Sequence, residues 1–398
     1  MRRLVFLVGL CALAVVAAGP SVAGARGLPQ GAAAPSPPPN LKAPRHLTTR
    51  LDWRPPHHIS TKAALRVAAA GTSVQMWTRG QATGGTTYHY TMVGRNPFVA
   101  EKYPNTTIKT YVLALDIQND SDDFSAYADD PCDANVSAQT RLLASPILKN
   151  KAYTWGGTSI SPVGTQITDA FQRAEFWKYT NPSGVNPNYH VKLGFNPSTQ
   201  LIHLTYTYKS IQPEITGGCD PLLEQGIKNW DSFVQTTLFP QLEANYGINP
   251  TDFVVFLLKN TVFYQGNTSN CCILGYHNAF GSPVQTYAVA DYDTSGFFSG
   301  APDISVMSHE VAEWMDDPLT TNPTPAWGNI GQVVGCQSNL EVGDPLTGTT
   351  YPVKLNGFTY HPQELAFFSW FYDQHPSIGV NGWYSDQDTF TTYAAPCS

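Results

Sequence analysis

The stretch Ile304–Pro318 reads ISVMSHEVAEWMDDP and concentrates ionisable groups in a chain of which only 13% is charged. On an α-helix, which turns about 100° per residue, its ionisable side chains fall on one side and an apolar stripe falls on the other. The ionisable side chains are His309, Glu310, Glu313, Asp316 and Asp317. The apolar stripe comprises Ile304, Met307, Val311, Trp314 and Met315. The pattern predicts a helix that packs its stripe on a core and keeps its polar side approachable.

The polar side of this helix carries a variant of a zinc-binding pattern. In HExxH, two histidines one turn apart bind zinc, and the glutamate between them acts as the general base. Here the pattern is His309-Glu310-Val311-Ala312-Glu313, so a carboxylate takes the second ligand position. Carboxylates bind zinc, and an oxygen-rich ligand set also suits manganese or calcium. The pattern predicts Glu310 as the catalytic base and His309 and Glu313 as ligands of Zn2+, or alternatively of Ca2+ or Mn2+.

Further ligands are needed to complete such a site, and the candidates lie on both sides of the helix. They are His277 in LGYHNAF, Glu341 and Asp344 in NLEVGDP, and Asp317 at the helix end. Each has a simpler interpretation. His277 also fits a half-buried strand histidine, and Glu341 also fits a solvated surface acid. Asp317 lies near a helix C-terminus, where a cation, an arginine or backbone N–H groups would each compensate its charge.

The elements around this helix predict the fold of residues 213–398. The stretch 221–247, PLLEQGIKNWDSFVQTTLFPQLEANYG, places Leu223, Ile227 and Trp230 on one stripe and predicts a long amphipathic helix bent at Pro240. TDFVVFLL, CCILGYHNAF and QTYAVADYD then read as strands. A backing helix, strands and a helix bearing His-Glu resemble the layout of a zincin-like mixed α/β core, by fold analogy.

The first half of the chain has a different pattern. In residues 64–212, stretches such as TSVQMW, TYHYTMV, TIKTYVLALDIQ, YHVKLGF and LIHLTYTY alternate as strands do, and TQITDAFQRAEFWKY predicts one helix. The predicted fold class is therefore α+β, with a β-rich N-terminal part followed by the zincin-like core that carries the HExxE helix.

The N-terminus predicts export. Residues 1–23 combine a basic start, an apolar run and small residues, which indicates a cleaved secretory signal peptide, although an uncleaved anchor is the alternative. Residues 24–63 are rich in proline and alanine and predict a flexible segment. No later segment is long and apolar enough to span a bilayer. The expected location is extracellular or periplasmic, with no membrane attachment after cleavage.

The net charge limits the kinds of partner that the chain can bind, and the cysteine count indicates whether its thiols are oxidised. Loss of Arg2 and Arg3 with the leader leaves 21 of 23 basic residues against 30 acidic ones, a net charge near −9. This excess of acid argues against a nucleic-acid partner. Cys11 leaves as well, so six of the 7 cysteines remain. An even number in an exported chain predicts three disulfides of open connectivity, and a thiolate metal site is the alternative.

Several of these motifs occur together in one known family. SVMSHEVAEWMDDP, preceded by Gly275-Tyr276-His277 and TYAVA and followed by PAWG, Glu341-x-x-Asp344 and LNGFTYHPQELAFFSWF, resembles the secreted EXORDIUM or phosphate-induced protein family over about residues 251–372. The resemblance implies a secreted, cell-surface or wall-associated role without an established reaction. Pro345 follows Asp344 where the family pattern has cysteine, so the pairing of Cys336 is open.

Two functions follow from these observations. The first is a secreted metal-dependent hydrolase, most simply a zinc peptidase-like protein acting on a protein, a peptide or a cell-wall polymer. The second is a non-catalytic extracellular protein whose metal site stabilises the fold. In the second case, aromatic residues such as Trp327, Tyr360, Trp370 and Trp383 are candidates for polysaccharide contact, with core packing as their alternative role.

Overall fold

A computed structural model describes residues 61–119, 122–208 and 212–397. The predicted signal peptide, residues 1–23, and nearly all of the predicted flexible segment, residues 24–63, lie outside these ranges. In the part of the chain that is described, no helix is long and apolar enough to cross a membrane.

The described residues form a mixed α/β fold in which strand (37%) outweighs helix (23%). The helices are α1 Thr61–Ala70, α2 Ala138–Ala144, α3 Ile167–Glu175, α4 Trp177–Thr180, α5 Pro197–Gln200, α6 Ile227–Phe233, α7 Phe239–Tyr246, α8 Ser305–Asp316 and α9 Phe368–Phe371. Short 3₁₀ turns occur at Pro131–Asp133, Asp344–Leu346 and Val380–Gly382, and a π-helical turn at Val234–Leu238.

The strands of the first half are β1 Met76–Thr83, β2 Thr86–Val93, β3 Asn105–Asn119, β4 Asp122–Ser125, β5 Lys151–Trp155, β6 Thr158–Thr165, β7 His190–Gly194 and β8 Leu201–Thr207. Those of the second half are β9 Glu214–Ile215, β10 Leu222–Gly226, β11 Phe253–Lys259, β12 Thr261–Tyr264, β13 Cys271–Ile273, β14 Gly275–Phe280, β15 Gln285–Tyr292, β16 Pro323–Ile330, β17 Val333–Asn339, β18 Val353–Leu355 and β19 Phe358–Tyr360.

The largest sheet is built around three adjacent parallel strands, β15, β11 and β3. Its order is β14-β15-β11-β3-β4, and β7 and β8 also pair with β3. Strand β11 is parallel to both neighbours, so that Val255 lies opposite Val112 of β3 and Ala288 of β15. Because β3 comes from the first half and β11 from the second, the two predicted regions share one sheet. The boundary predicted at residue 212 therefore marks a change of sequence pattern between two regions that contribute to the same sheet.

Strand β11 is buried on both faces, as expected for a central parallel strand covered by helices. Phe253, Val255 and Leu257 face one hydrophobic cluster, and the alternate residues Val254 and Phe256 face another. The first cluster includes the apolar residues of α3 and α8, and the second includes those of α6 and α7. Alternation along one strand thus places helices on both sides of the sheet.

The predicted long helix over residues 221–247 is wrong at its start. Leu223 lies in β10, which pairs in parallel with β12 and places Leu223 opposite Thr261. Helix α6 begins only at Ile227, and the π-helical turn joins it to α7. Pro240 lies in the first turn of α7, directly after that turn, where its missing N–H requires no partner. The strands predicted at TDFVVFLL, CCILGYHNAF and QTYAVADYD are present as β11, β13 with β14, and β15.

Three disulfides are present, as the cysteine count predicts. They join Cys132 to Cys219, Cys271 to Cys272, and Cys336 to Cys397. The last one ties the end of the described chain to strand β17. All six cysteines outside the predicted leader are therefore paired, which is compatible with an extracellular location.

Candidate metal centre

Helix α8 is fixed to the sheet through its apolar stripe. All five predicted stripe residues are buried in the cluster that covers one face of the sheet. The ring of Trp314 stacks on Phe253 of β11 with centroids 3.5 Å apart, and its Nε1 donates to Thr286 Oγ1 over 3.0 Å. This side of the helix behaves as the sequence predicts, and it determines which elements the polar side meets.

The polar side of α8 is not approachable, which corrects the sequence-based prediction. His309, Glu310 and Glu313 are only 1%, 1% and 3% exposed. Strand β14 covers one edge of this side, and the buried chain that follows β17 covers another. The backbone N–H of Gly343 in that chain donates to Glu313 Oε1 over 3.0 Å. The pattern of apolar residues within one helix cannot show that a later part of the chain packs against the polar side of that helix.

The first of two donor groups on this side is formed by His309, Glu313 and Asp344, here called the His309 triad. One ligand atom from each lies within 4.8 Å of the other two. His309 Nε2 is 3.0 Å from Glu313 Oε2 and 3.7 Å from Asp344 Oδ1. Helical spacing brings the first two together, because residues four apart share a helix face. Asp344 arrives from the 3₁₀ turn that follows β17.

Gln363 determines which nitrogen of His309 carries the proton. The amide nitrogen of Gln363 donates to Gly343 O over 2.6 Å, so its oxygen Oε1 faces His309 Nδ1 at 3.1 Å. An oxygen at that distance accepts, so Nδ1 carries a proton, and Nε2 is the nitrogen that faces Glu313 and Asp344 and has the lone pair whenever the ring is neutral. This is the arrangement in which histidine binds a metal through Nε2 while its other nitrogen is held by a hydrogen bond.

The second donor group is formed by His277, Glu310 and Glu313, here called the His277 triad. Its three ligand atoms also lie within 4.8 Å of one another. Nδ1 of His277 is 3.5 Å from Glu310 Oε2 and 3.7 Å from Glu313 Oε2. His277 projects from β14, and only 5% of the residue is exposed. It therefore lies at the site, and not in the half-buried strand position that was its alternative.

Two glycines allow the chain to approach these side chains closely. A Cβ at Gly343 would overlap the imidazole ring of His309. A Cβ at Gly275 would lie 2.7 Å from Glu310 Oε1, closer than real Cβ contacts allow. Among the described residues, Glu310 Oε1 has no hydrogen-bond partner although it is buried. Such a buried acceptor requires an explanation, and a cation is one.

The remaining predicted acids downstream are held in place by amides. Gln337 Nε2 donates to Asp344 Oδ2 over 3.1 Å, and Gln332 Nε2 donates to Asp344 Oδ1. Asn339 Nδ2 donates to Glu341 Oε1 over 2.6 Å. Glu341 is 6% exposed, so it is a buried residue and not the solvated surface acid that was its alternative. Its negative charge acts on His277, as described below, but it belongs to neither triad.

Asp316 and Asp317, the two acids at the end of α8, serve other purposes. Asp317 Oδ1 accepts from Thr321 N over 2.8 Å and Oδ2 accepts from Asn322 N over 2.9 Å. Backbone N–H groups thus compensate its charge, and the predicted ligand role of its carboxylate is corrected. Its main-chain oxygen instead lies 3.1 Å from His277 Nε2. Asp316 points to α3, where it accepts a hydrogen bond from Gln172.

Burial and mutual charge shift the protonation of both triads. Burial raises the pKa of Glu313 well above its ordinary value, and the charges of Glu341 and Glu310 raise it further. Burial also raises the pKa of Glu310, against the effect of His277. Burial alone would lower the pKa of His277, but the approach of Glu310 and the charges of Glu341 and Glu313 outweigh it and raise the pKa to about 10. A cation entering this cluster would compete with protons.

Other donor groups in the described residues have their atoms engaged. Cys132, near Asp130 and Asp220, is in a disulfide, and Lys259 Nζ lies 3.3 Å and 2.7 Å from those two carboxylates. Cys271 and Cys272, near Glu224, are bonded to each other. None of these cysteines offers a thiolate. The predicted disulfides are therefore present, the alternative of a thiolate metal site does not apply to these cysteines, and the two triads that include residues of α8 remain.

The aromatic residues considered for polymer contact are largely core residues. Trp327, Tyr360 and Trp370 are 1%, 1% and 4% exposed, and only Trp383 is partly exposed. Trp327 packs edge to face against Trp370 with centroids 5.6 Å apart. Their packing roles leave these three without a surface for a polysaccharide.

Sequence patterns did not identify three residues of the centre: Gly275, Gly343 and Gln363. Their roles are to make room for a side chain or to orient one, and neither role has a fixed spacing from the HExxE pattern. The signal that was present is the position of Gly275 and Gly343 within Gly275-Tyr276-His277 and Glu341-Val342-Gly343-Asp344, beside predicted ligands.

No family model, curated protein or solved structure matches this chain. The function is therefore inferred from the side-chain geometry of the site.

Proposed function

We propose that this chain is a secreted, extracellular or periplasmic protein in which the His309 triad binds a divalent cation that stabilises the fold. The observation that carries the proposal is the convergence of three lone-pair atoms, His309 Nε2, Glu313 Oε2 and Asp344 Oδ1, in a buried place. The proton of the imidazole is directed away, to Gln363. Buried lone pairs that face one another repel unless a proton or a cation lies between them.

The donor set suits zinc best. Imidazole and carboxylate groups are common ligands of Zn2+, whereas in most proteins calcium is bound by oxygen ligands alone. Mn2+ is the alternative, because it accepts both imidazole and carboxylate. Each donor is also oriented by a neighbour: His309 by Gln363, Glu313 by Gly343 N–H, and Asp344 by glutamine amides. Such outer contacts support a metal site because they fix the direction of each ligand.

Burial favours a stabilising ion over a catalytic one. Catalytic zinc sites keep a position open to substrate, whereas structural sites are closed by protein ligands. His309 and Glu310 are each 1% exposed, and Asp344 is 2% exposed. The cation would join α8 to the chain that follows β17, two segments that are distant in sequence. The resemblance to the EXORDIUM family supports a cell-surface or wall-associated role for such a protein.

Metal content and thermal stability test this proposal together. We expect the purified chain to retain zinc through dialysis, and EDTA to lower its Tm. At a free zinc concentration a hundredfold above Kd, binding stabilises the folded state by about 2.7 kcal/mol. His309→Ala should lose the zinc of the His309 triad and the stabilisation that this ion supplies. His361→Ala is the matched control, because His361 is paired with Asp303 outside both triads. A parent chain that holds no metal, and whose Tm is insensitive to zinc, would contradict the proposal.

A metal-dependent, peptidase-like hydrolase is the second candidate, and the environment of Glu310 favours it. Glu310 adjoins His309 in the HExxE pattern, and its buried Oε1 has no hydrogen-bond partner in the described part of the chain. A bound zinc ion would supply Lewis-acid chemistry. Glu310 would accept a proton, as a general base within reach of the substrate does. His309 and Glu313 would hold their positions as ligands.

Cleavage of unfolded proteins and of a broad peptide library tests this second candidate. Glu310→Gln retains shape but cannot accept the proton, so the hydrolase interpretation expects metal to be retained and cleavage to fall by roughly 100-fold or more. Cleavage by the parent chain and not by Glu310→Gln would establish the hydrolase. If the zinc-loaded parent cleaves nothing, the hydrolase candidate fails and the site's role is to bind an ion that stabilises the fold.

A further inference from the structure

We propose that the buried centre holds two divalent cations and that Glu313 bridges them. The first is the ion of the His309 triad, on which this inference rests. The second is bound by the His277 triad through His277 Nδ1, Glu310 Oε2 and Glu313 Oε2. In this arrangement Glu310 is a ligand and not a general base.

The protonation of His277 leaves the correct nitrogen available. Nε2 of His277 lies 3.1 Å from the main-chain oxygen of Asp317, which can only accept a hydrogen bond. Nε2 therefore carries a proton, and Nδ1 is the nitrogen that faces the carboxylates of Glu310 and Glu313 and that a cation binds after displacing its proton. Both triads thus follow the same scheme, in which one imidazole nitrogen donates to a fixed oxygen and the other faces two carboxylates.

The separations within the His277 triad are those of ligands around an ion. Nδ1 is 3.5 Å and 3.7 Å from the two carboxylate oxygens. Good N–H···O hydrogen bonds span about 2.7–3.2 Å, so neither contact is one. Two ligand atoms bound tetrahedrally at about 2.0–2.2 Å from zinc lie about 3.3–3.6 Å apart. The spacing is close to what a shared cation requires.

Glu310 supplies an independent observation. It is 1% exposed, and its Oε1 has no hydrogen-bond partner among the described residues. The absent side chain at Gly275 leaves the space that this carboxylate occupies. In the described part of the chain, neither Glu310 nor Glu313 pairs with a lysine or an arginine, and their ion-pair partners there are His277 and His309. Two buried carboxylates without a lysine or arginine partner favour a divalent cation, which would replace protons on the nearby imidazoles.

Glu313 is placed to connect the two ions. Its Oε2 is the oxygen that belongs to both triads, 3.0 Å from His309 Nε2 and 3.7 Å from His277 Nδ1. Its Oε1 is held by the N–H of Gly343, so the carboxylate has a fixed direction. Metal pairs in proteins lie about 3.5–4 Å apart, which requires ligands that reach both ions. One bridging carboxylate between two histidine-containing groups fits that geometry.

Zinc stoichiometry tests the inference, with zinc itself as the probe. After equilibrium dialysis against Zn2+, elemental analysis should find two ions per full-length mature chain. His277→Ala should retain one, and Glu310→Gln should bind the second ion at least tenfold more weakly. Asp316→Asn is the matched control, because Asp316 is a buried acid on the same helix that points to α3; it should retain two.

The outcomes separate this inference from the proposed function. One ion in the parent chain, unchanged in His277→Ala, would overturn the second site and leave the first intact. No ion in the parent chain would overturn both. If His277→Ala fails to fold by circular dichroism, electron paramagnetic resonance of the Mn2+-loaded parent decides. A spin-coupled pair signal supports two adjacent ions, and only the six-line spectrum of isolated Mn2+ overturns them.

Discussion

Gly343 lies against the ring of His309, and any larger residue there would displace a proposed ligand. The same residue donates its N–H to Glu313, and its carbonyl accepts from Gln363. Gly343 thus limits the space around the His309 ring and donates a hydrogen bond to Glu313. It also accepts a hydrogen bond from Gln363, which orients His309. The positions of metal ligands depend on the backbone and side chains that pack around them.

Gly343→Ala is therefore expected to weaken zinc binding by at least tenfold, since the added Cβ moves the imidazole of His309. Competition with a chromophoric chelator measures the affinity. Gly300→Ala is the matched control, because a Cβ at Gly300 meets only Gly348 at ordinary contact distance. Equal zinc affinity of the two variants would show that His309 tolerates the shift, and would argue against it as a ligand.

The residue types that could be predicted from sequence are those whose role follows from spacing. His309 and Glu313 are one helical turn apart, and the structure brings them within 3.0 Å. Asp317 was placed in the ligand set because a helix-end acid lacks compensation, but backbone N–H groups supply it. The sequence left three explanations open for that acid, and only the path of the following loop distinguishes them.

At the scale of elements, the contact between α3 and α8 contains two buried acids. Gln172 donates to both Glu175 and Asp316. Burial raises the pKa of Asp316 to about 7, and burial together with the charge of Asp316 raises that of Glu175 well above its usual value. The folded protein therefore retains a proton here at pH values where the unfolded chain has lost it. Each such group stabilises the fold most at low pH, and that contribution is lost as pH rises through its folded pKa.

Asp316→Asn should flatten the pH dependence of stability. Relative to the variant, the parent should lose on the order of 4 kcal/mol of unfolding free energy between pH 4 and pH 8, since the pKa of Asp316 is raised from 3.8 to about 7 and a shift of one unit corresponds to about 1.4 kcal/mol. Urea unfolding at both pH values measures this difference. Glu243→Gln, at an exposed site on α7, should follow the parent. Parallel curves for Asp316→Asn and the parent would rule out proton retention at this contact.

Element prediction succeeded where one periodicity governed a whole segment. The stripe of α8 and the strand β11 are buried as expected, because each has a single pattern along its length. The stretch 221–247 failed because Leu222–Gly226 pairs with β12 while the residues after it are helical. Leu223 happens to continue the helical stripe by spacing, and strand pairing with a distant segment overrides that local pattern.

At the scale of the molecule, Cys336 and Cys397 join β17 to the end of the described chain across a sequence separation of 61 residues. A crosslink of that span restricts the unfolded chain and stabilises the fold by roughly 4 kcal/mol in the chain-entropy account. Cys336→Ser with Cys397→Ser should lower the free energy of unfolding by that order, measured by urea denaturation. Intact mass before and after alkylation supplies the control that the parent has no free thiol. An unchanged unfolding free energy would contradict this role.

The architecture of the whole molecule was the least predictable part. The composition predicts a large core, and the patterns predict strands in both halves. No local pattern shows that β3 and β11 are neighbours, because their pairing depends on residues far apart in sequence. The same limit applies to the proposed metal centre, whose candidate ligands come from β14, α8 and the chain after β17.

Anomalous X-ray diffraction at the zinc absorption edge, from crystals of the zinc-loaded chain, locates the bound ion relative to the His309 triad. We expect a peak within about 2.0–2.2 Å of His309 Nε2, Glu313 Oε2 and Asp344 Oδ1, where those atoms converge beneath the surface. Zinc located only at surface residues, or no anomalous peak at α8 in fully loaded crystals, would contradict it.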